Sequence, residues 1–151
     1  MSTASKDIGY TVIDSIYDTI ATVVYGTAGH KGFTLSGTTY PVYKTVPLDN
    51  PAEIYVRIGE VIETEEGTKD DFVYRGSVPL IVCDDSQTNQ GDKKKAQSIL
   101  NYVRGLLKPT KASVPTGFIV FNHEGKNEYI ELNDMDKPLV RIVDTYFFII
   151  E

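Results

Sequence analysis

Ile8, Val12, Ile13, Ile16, Tyr17, Ile20, Val23 and Val24 recur at the three- and four-residue spacing of one helical face, which predicts an amphipathic helix over about 7–25. Asp7 is placed to cap its start and Gly26 to close its end. The following stretch, 26–39, holds four glycines and no sustained period, and reads as a mobile loop. Tyr40–Val46 is extended, restricted by Pro41 to a short or edge strand and ended by Pro47 and Pro51. Period two then takes over. Ile54, Val56, Ile58 and Ile62 alternate with Tyr55, Arg57, Gly59 and Val61, with Glu60 interrupting the first set. Phe72, Tyr74, Val78, Leu80 and Val82 alternate in the same way with Val73, Arg75, Ser77, Ile81 and Cys83, and the polar stretch 64–71 between the two runs predicts a hairpin over about 53–83. Pro79 marks an edge position or a bulge in its second strand.

A second helix is predicted over about 92–108, capped by Asp92, with Ala96, Ile99, Leu100, Val103, Leu106 and Leu107 on one face and Pro109 stopping it. Three extended runs, Phe118–Phe121, Glu128–Leu132 and Leu139–Ile150, fill the C-terminal 118–150, and the stretch 122–127 reads as the turn of a second hairpin. The expectation is a single α+β domain over 1–151. Its sheet is antiparallel, mixed at most, with about five strands and two amphipathic helices packed on one face.

Tyr146–Ile150 is apolar on both faces, which demands cover on both sides of the sheet, whereas two helices cover only one. Either the first strand and the long loop wrap the second face, or another subunit does. Strand parity sets Arg57, Arg75 and Arg141 opposite the most apolar sets of their strands, on one surface with Phe147 and Ile149. Arginine with aromatic residues is the composition that interface cores enrich; the alternative is a half-solvated sheet with incidental arginines.

Length and composition fit one real core: 151 residues, 41% hydrophobic and 24% charged. No apolar run approaches the roughly 20 residues of a membrane span. The N-terminal residues carry no apolar signal core after Lys6, so the chain is expected to stay inside the cell that makes it. Cys83 is the single cysteine, which excludes an intrachain disulfide and multi-cysteine zinc patterns.

A net charge of −6 argues against a dedicated nucleic-acid binder. The charge is also segregated: residues 1–92 hold 14 acids and 6 bases, 93–111 hold 6 bases and no acid, and 112–151 hold 7 acids and 3 bases. The basic segment is suited to acidic surface on another copy, to phosphate, or simply to water. Lys93, Lys94 and Lys95 stand at the positive end of the second helix, against its dipole, each at a cost of roughly 0.3 kcal/mol if unpaired.

The chemistry-bearing patterns are thin. There is no phosphate loop and no nucleophile elbow; His30 and His123 lie in glycine-containing stretches without ligand spacing, and Cys83 reads as a buried, inert thiol. The acidic pairs, Glu65-Glu66, Asp70-Asp71, Asp84-Asp85 and Asp134/Asp136, lack a calcium-loop pattern and read as solvated turns. No catalytic residue, metal or cofactor is assigned, and no enzyme is expected.

The order of elements at this length resembles the tail terminator, or tail completion, proteins of long-tailed bacteriophages. The pieces that carry the resemblance are the opening helix Ile13-Asp14-Ser15-Ile16-Tyr17-Asp18-Thr19-Ile20 running into a glycine-rich loop, Tyr40-Pro41-Val42-Tyr43 before a proline-containing turn, the strand Ile54-Tyr55-Val56-Arg57-Ile58-Gly59, its mate ending Leu80-Ile81-Val82, and the helix Ala96-Gln97-Ser98-Ile99-Leu100-Asn101. The loop at 26–39 and the region 109–127 are long for that pattern, which leaves the neck and head–tail connector adaptors as competitors. A small-molecule-binding or enzymatic α+β domain is the third reading.

The resemblance implies a virion protein assembled in the host cytoplasm as a hexameric ring on the tail tube. Its partners would be its own copies, the tube protein and a neck or head-completion protein, with DNA passing the lumen unbound and no membrane contact. In that setting the acidic turn, Glu63, Glu65, Glu66, Asp70 and Asp71, is expected either to line the lumen or to meet Lys93–Lys95 of a neighbour.

Overall fold

In the computed structural model the described residues are 8–26, 29–47, 51–67, 72–86, 93–107, 118–132 and 138–150. Helix α1 runs Ile8–Ile20, with Val12, Ile16 and Ile20 buried one turn apart. It ends five residues earlier than its apolar spacing predicts. The last helical bond is Ala21 N–H to Tyr17 O, and Val23–Tyr25 becomes strand β1. The two valines fit the helical period by coincidence; they belong to a β-branched run with a strand partner available at 30–32.

The expected mobile loop is in fact a β-hairpin. Strands β2 (His30–Leu35) and β3 (Thr38–Tyr43) pair antiparallel through the two-residue turn Ser36-Gly37, both with positive φ (51° and 81°). That geometry matches the right-handed twist of flanking strands, and glycine adopts it without strain. Phe33 and Tyr40 face each other in this hairpin and are buried.

Strand β4 (Ile54–Ile58) lies parallel to β3, the single parallel pairing among the described strands. Strand β5 (Ile62–Gly67) follows almost in line with it. Both pair antiparallel with the long β6 (Phe72–Asp84), so the expected hairpin is present, and its arms extend to 67 and 72 where 64–71 was read as turn. Pro79 sits at the break between β4 and β5: Gly59 N–H donates to Pro79 O at 2.8 Å, and a Cβ on Gly59 would meet the proline ring at 2.6 Å. The proline therefore occupies an irregularity in an interior strand rather than a sheet edge.

Helix α2 spans Lys94–Leu107, close to its expected limits; Asp92 lies outside the described residues. Strand β7 (Phe118–Leu132) is continuous through 122–127 and pairs along its length with β8 (Pro138–Ile150). The expected hairpin within β7 is absent, because the polar residues of 122–127 belong to an outer strand that water can solvate. Bulges at Phe118/Val120 and His123/Gly125 absorb its irregularity.

The result is an α+β fold with a mixed sheet in the order β1-β2-β3-β4-β6-β8-β7, where β5 prolongs the β4 row, giving eight strands instead of about five. Strands β1 and β2 arise from the stretch that predicts a helix end and loop, one predicted strand divides into β4 and β5, and two predicted C-terminal runs merge into β7. Both helices pack on one face. Their buried residues join Val42, Val56, Leu80, Val82, Ile142 and Phe148 of the sheet in the main core. The other face, called the far face below, holds a smaller buried group, Tyr43, Tyr55, Ile81 and Cys83, against which Val46 and Val143 pack.

Candidate interaction surface

Register builds the far face row by row, since residues directly opposite in neighbouring strands share a face. Arg57, Ile81 and Val143 form one row, and Tyr55, Cys83, Arg141 and Tyr129 the next. Toward the other end, Ile62, Ser77 and Phe147 align, followed by Thr64, Arg75 and Ile149. The five residues that parity sets together, Arg57, Arg75, Arg141, Phe147 and Ile149, thus occupy one face of one sheet.

Their surroundings differ. The crossover from β3 to β4 lays Val46 over the tyrosine-rich rows, and Ala52 N–H donates to the Tyr43 hydroxyl at 3.2 Å, so the chain covers this part of the face itself. Arg141 is drawn inward, its side chain 12% exposed, with ion pairs to Asp85 (2.5 Å) and Glu131 (3.5 Å). Burial, the largest single influence, works against its charge, but the Asp85 hydrogen bond and the attraction of Cys83, Asp85 and Tyr55 together outweigh it and hold the guanidinium above the usual arginine range. Burial likewise pushes up the Tyr55 hydroxyl and the Cys83 thiol, so Cys83 is a neutral, buried thiol.

The other end is more open. Phe147 and Ile149 are half-buried, Arg75 is exposed, and Ile62 is 71% exposed. Arg57 is half-buried and lines a cleft of about 320 Å³ with Lys44, Gly59 and Glu60, at the C-terminal ends of the parallel strands β3 and β4. An adjoining open cleft of about 250 Å³, sharing Lys44 and Thr45, is lined by Tyr17, His30 and Tyr43. Lys44 Nζ stands 4.5 Å from the Tyr17 ring centre and 2.7 Å from Asp14, so its charge is already matched.

Of the three lysines at the start of α2, Lys93 reaches Glu128 of β7 at 3.7 Å, while Lys94 and Lys95 are exposed. Glu128 also takes Lys126 at 3.2 Å, and that contact lowers its pKa. A partner within the chain therefore offsets part of the dipole penalty on Lys93. Glu63, Glu65 and Glu66 belong to β5, in register with Gly76, Tyr74 and Val73, instead of to a turn; Asp70 and Asp71 lie outside the described residues.

The most developed polar cluster escaped the pattern reading. Asp144 of β8 is fully buried on the helix-bearing face and accepts bonds from Arg104 Nε (3.0 Å) and Nη2 (2.9 Å), from the Tyr146 hydroxyl (2.9 Å) and from His123 Nε2. Four contacts match the roughly four lone-pair sites of a carboxylate. Burial pushes the Tyr146 hydroxyl upward, and the Asp144 hydrogen bond holds the Arg104 guanidinium above its usual range. The signal was present in β8: Asp144 stands in the apolar set Val140, Ile142, Tyr146 and Phe148. His123 also sets its ring edge-on to that of Tyr146, with centroids 5.6 Å apart, so both rings gather on the one carboxyl group. The cluster clamps α2 to the β7–β8 pair.

Among the described residues no group of three metal-ligating side chains converges. No helix there is long and apolar enough to cross a membrane. No protein-family profile matches the chain, and no curated protein matches its sequence.

Proposed function

We propose that this chain is a structural virion protein of the tail terminator type. Copies join through the far face of the sheet into a ring that caps the tail tube and connects it to the head or neck. The work is binding, without turnover, and DNA passes the lumen without specific contacts.

One observation carries the reading: Ile62, Phe147 and Ile149 stand with Arg75 at the end of the sheet face that has no helix layer. Apolar side chains beside an arginine on an otherwise half-polar face are what a repeated subunit contact uses. A ring needs one such patch and one complementary surface, repeated until the rotation closes. The charge segregation along the chain supplies candidates for complementarity, with Lys94 and Lys95 exposed on α2 and the acidic β5 strand distant in sequence.

The test is mass in solution. Sedimentation of the full chain, alone and with the tube protein of the same virion, is expected to show a closed oligomer, and Ile62→Asp combined with Arg75→Glu is expected to return it to smaller species. Both positions are exposed, so the fold should tolerate the change. A chain that stays a monomer at high concentration and binds no tube protein refutes the reading.

A neck or connector adaptor shares this assembly behaviour and differs only in the neighbours captured. The adjoining clefts at the ends of β3 and β4 favour one further reading, a small-molecule-binding domain. In that case a ligand from a metabolite panel should raise the melting temperature of the parent and not that of Arg57→Ala.

A further inference from the structure

Strand β7 ends the sheet, and along its outer side no strand pairs with it among the described residues. Its side chains from His123 to Glu131 are exposed or half-buried, including Tyr129 at 37% and Ile130 at 45%. An uncovered outer strand offers a row of backbone donors and acceptors to another strand. Two facts limit what fits there. For two copies to continue one sheet with their helix layers on the same side, opposite residues must share parity, so a two-fold axis has to pass through a residue. The bulge at His123/Gly125 also confines regular pairing to the positions from Gly125 onward.

We infer that β7 pairs antiparallel with β7 of a second copy about a dyad at Asn127. In that register Lys126 lies opposite Glu128 of the partner subunit, and the symmetry makes the pair twice. Gly125 lies opposite Tyr129 of the partner subunit, an aromatic ring over a glycine. Shifting the dyad by one residue sets Lys126 against its own copy at 126, or Glu128 against its own copy at 128, and like charges directly opposite are unfavourable. Lys126 and Glu128 already stand 3.2 Å apart on the same face within the chain, so the second copy completes an alternating row of four charges. This contact is isologous and closes at two copies. It is therefore distinct from the ring contact proposed above and stands or falls separately.

Charge swaps on the full chain test it, with the dimer dissociation constant read by sedimentation equilibrium. Lys126→Glu sets glutamate against Glu128 twice, and Glu128→Lys sets lysine against Lys126 twice; each is expected to weaken self-association roughly tenfold. Mixing the two variants restores opposite charges at both contacts, and is expected to yield a heterodimer within about threefold of the parent affinity. Because the mixture uses the same two proteins that fail alone, misfolding does not imitate the pattern. A parent that shows no dimer, two variants that dimerise like the parent, or a mixture no tighter than its components overturns the inference. A larger oligomer indifferent to both swaps also overturns it and leaves the ring reading intact.

Discussion

Replacing Arg104 with methionine keeps an aliphatic stem on α2 and removes both of its bonds to Asp144. Asp144 is fully buried, so its carboxyl group is left with only Tyr146 and His123 as partners, cut off from water. Breaking a buried pair costs roughly 3–5 kcal/mol, but the Arg104 side chain is 34% exposed and water shares in its solvation, which reduces the expectation to about 2–3 kcal/mol. For a domain of this size each kcal/mol moves the melting temperature by about 2–4 °C, so a fall of about 4–12 °C is expected. Asp144→Asn should cost a similar amount, because its amide directs donors at donors. Urea unfolding of the two single variants and the double variant then gives a coupling energy, expected above about 1 kcal/mol with an unchanged m-value. If Arg104→Met remains within about 0.5 kcal/mol of the parent, or the two substitutions are additive, the cluster does not clamp the helix to the sheet and the reasoning fails.

Gly32→Ala should be among the most damaging single changes, since a Cβ there would lie 1.8 Å from the Tyr40 carbonyl oxygen; a loss of several kcal/mol is expected in thermal melts, and a near-neutral result would refute the close packing of β2 on β3. At the turn, Ser36→Gly should stabilise by up to about 1 kcal/mol because φ is 51°, whereas Gly37→Ala, with nothing within 4 Å but φ at 81°, should destabilise by about 1–2 kcal/mol. The buried tyrosines set the alkaline limit: the folded pKa values of Tyr55 and Tyr146 are raised, so their contribution is complete below the unfolded value of about 10 and is lost as pH rises beyond it. Cys83, raised in the same direction, begins to act above about 8.5. Stability measured against pH should therefore decline progressively from about pH 9, and a flat profile to pH 11 would contradict the burial of these groups.

What could be read in the chain depended on which force set each segment. The faces of α1 and α2, and the alternation of β4, β6 and β8, follow from burial against one core, and strand parity alone placed Arg57, Arg75, Arg141, Phe147 and Ile149 on one surface. Composition misled where local geometry governed. The glycines of 26–39 suggested a mobile loop, whereas Ser36-Gly37 is a two-residue hairpin turn whose flanks carry the alternating pair Phe33 and Leu35. The polar residues at 122–127 suggested a turn because an outer strand need not alternate cleanly when one edge and much of each face meet water. Arg141 and Lys93 were legible as positions but not as contacts: Asp85 lies 56 residues from Arg141 and Glu128 lies 35 from Lys93, and only the pairing of β6, β7 and β8 brings these, and the nearer Glu131, into reach.

The two proposed contacts are linked by the parity that produced them. A dyad through Asn127 keeps the helix layers of both copies on one side, so both far faces, each with its Ile62, Phe147 and Ile149, look in the same direction from one continuous sheet. A dimer of this kind presents two equal docking surfaces to whatever lies on that side. Joining a ring of other copies would then gain from effective concentration, as linked sites do, by a factor on the order of 10² or more over a single copy. A far-face variant, Ile62→Asp with Arg75→Glu, should abolish assembly of the ring at every concentration. The edge variant Lys126→Glu should leave each single-site contact intact and lose only the avidity. If instead the edge variant prevents ring assembly altogether while the far-face variant does not, the assignments of the two surfaces are reversed, and β7 carries the ring contact.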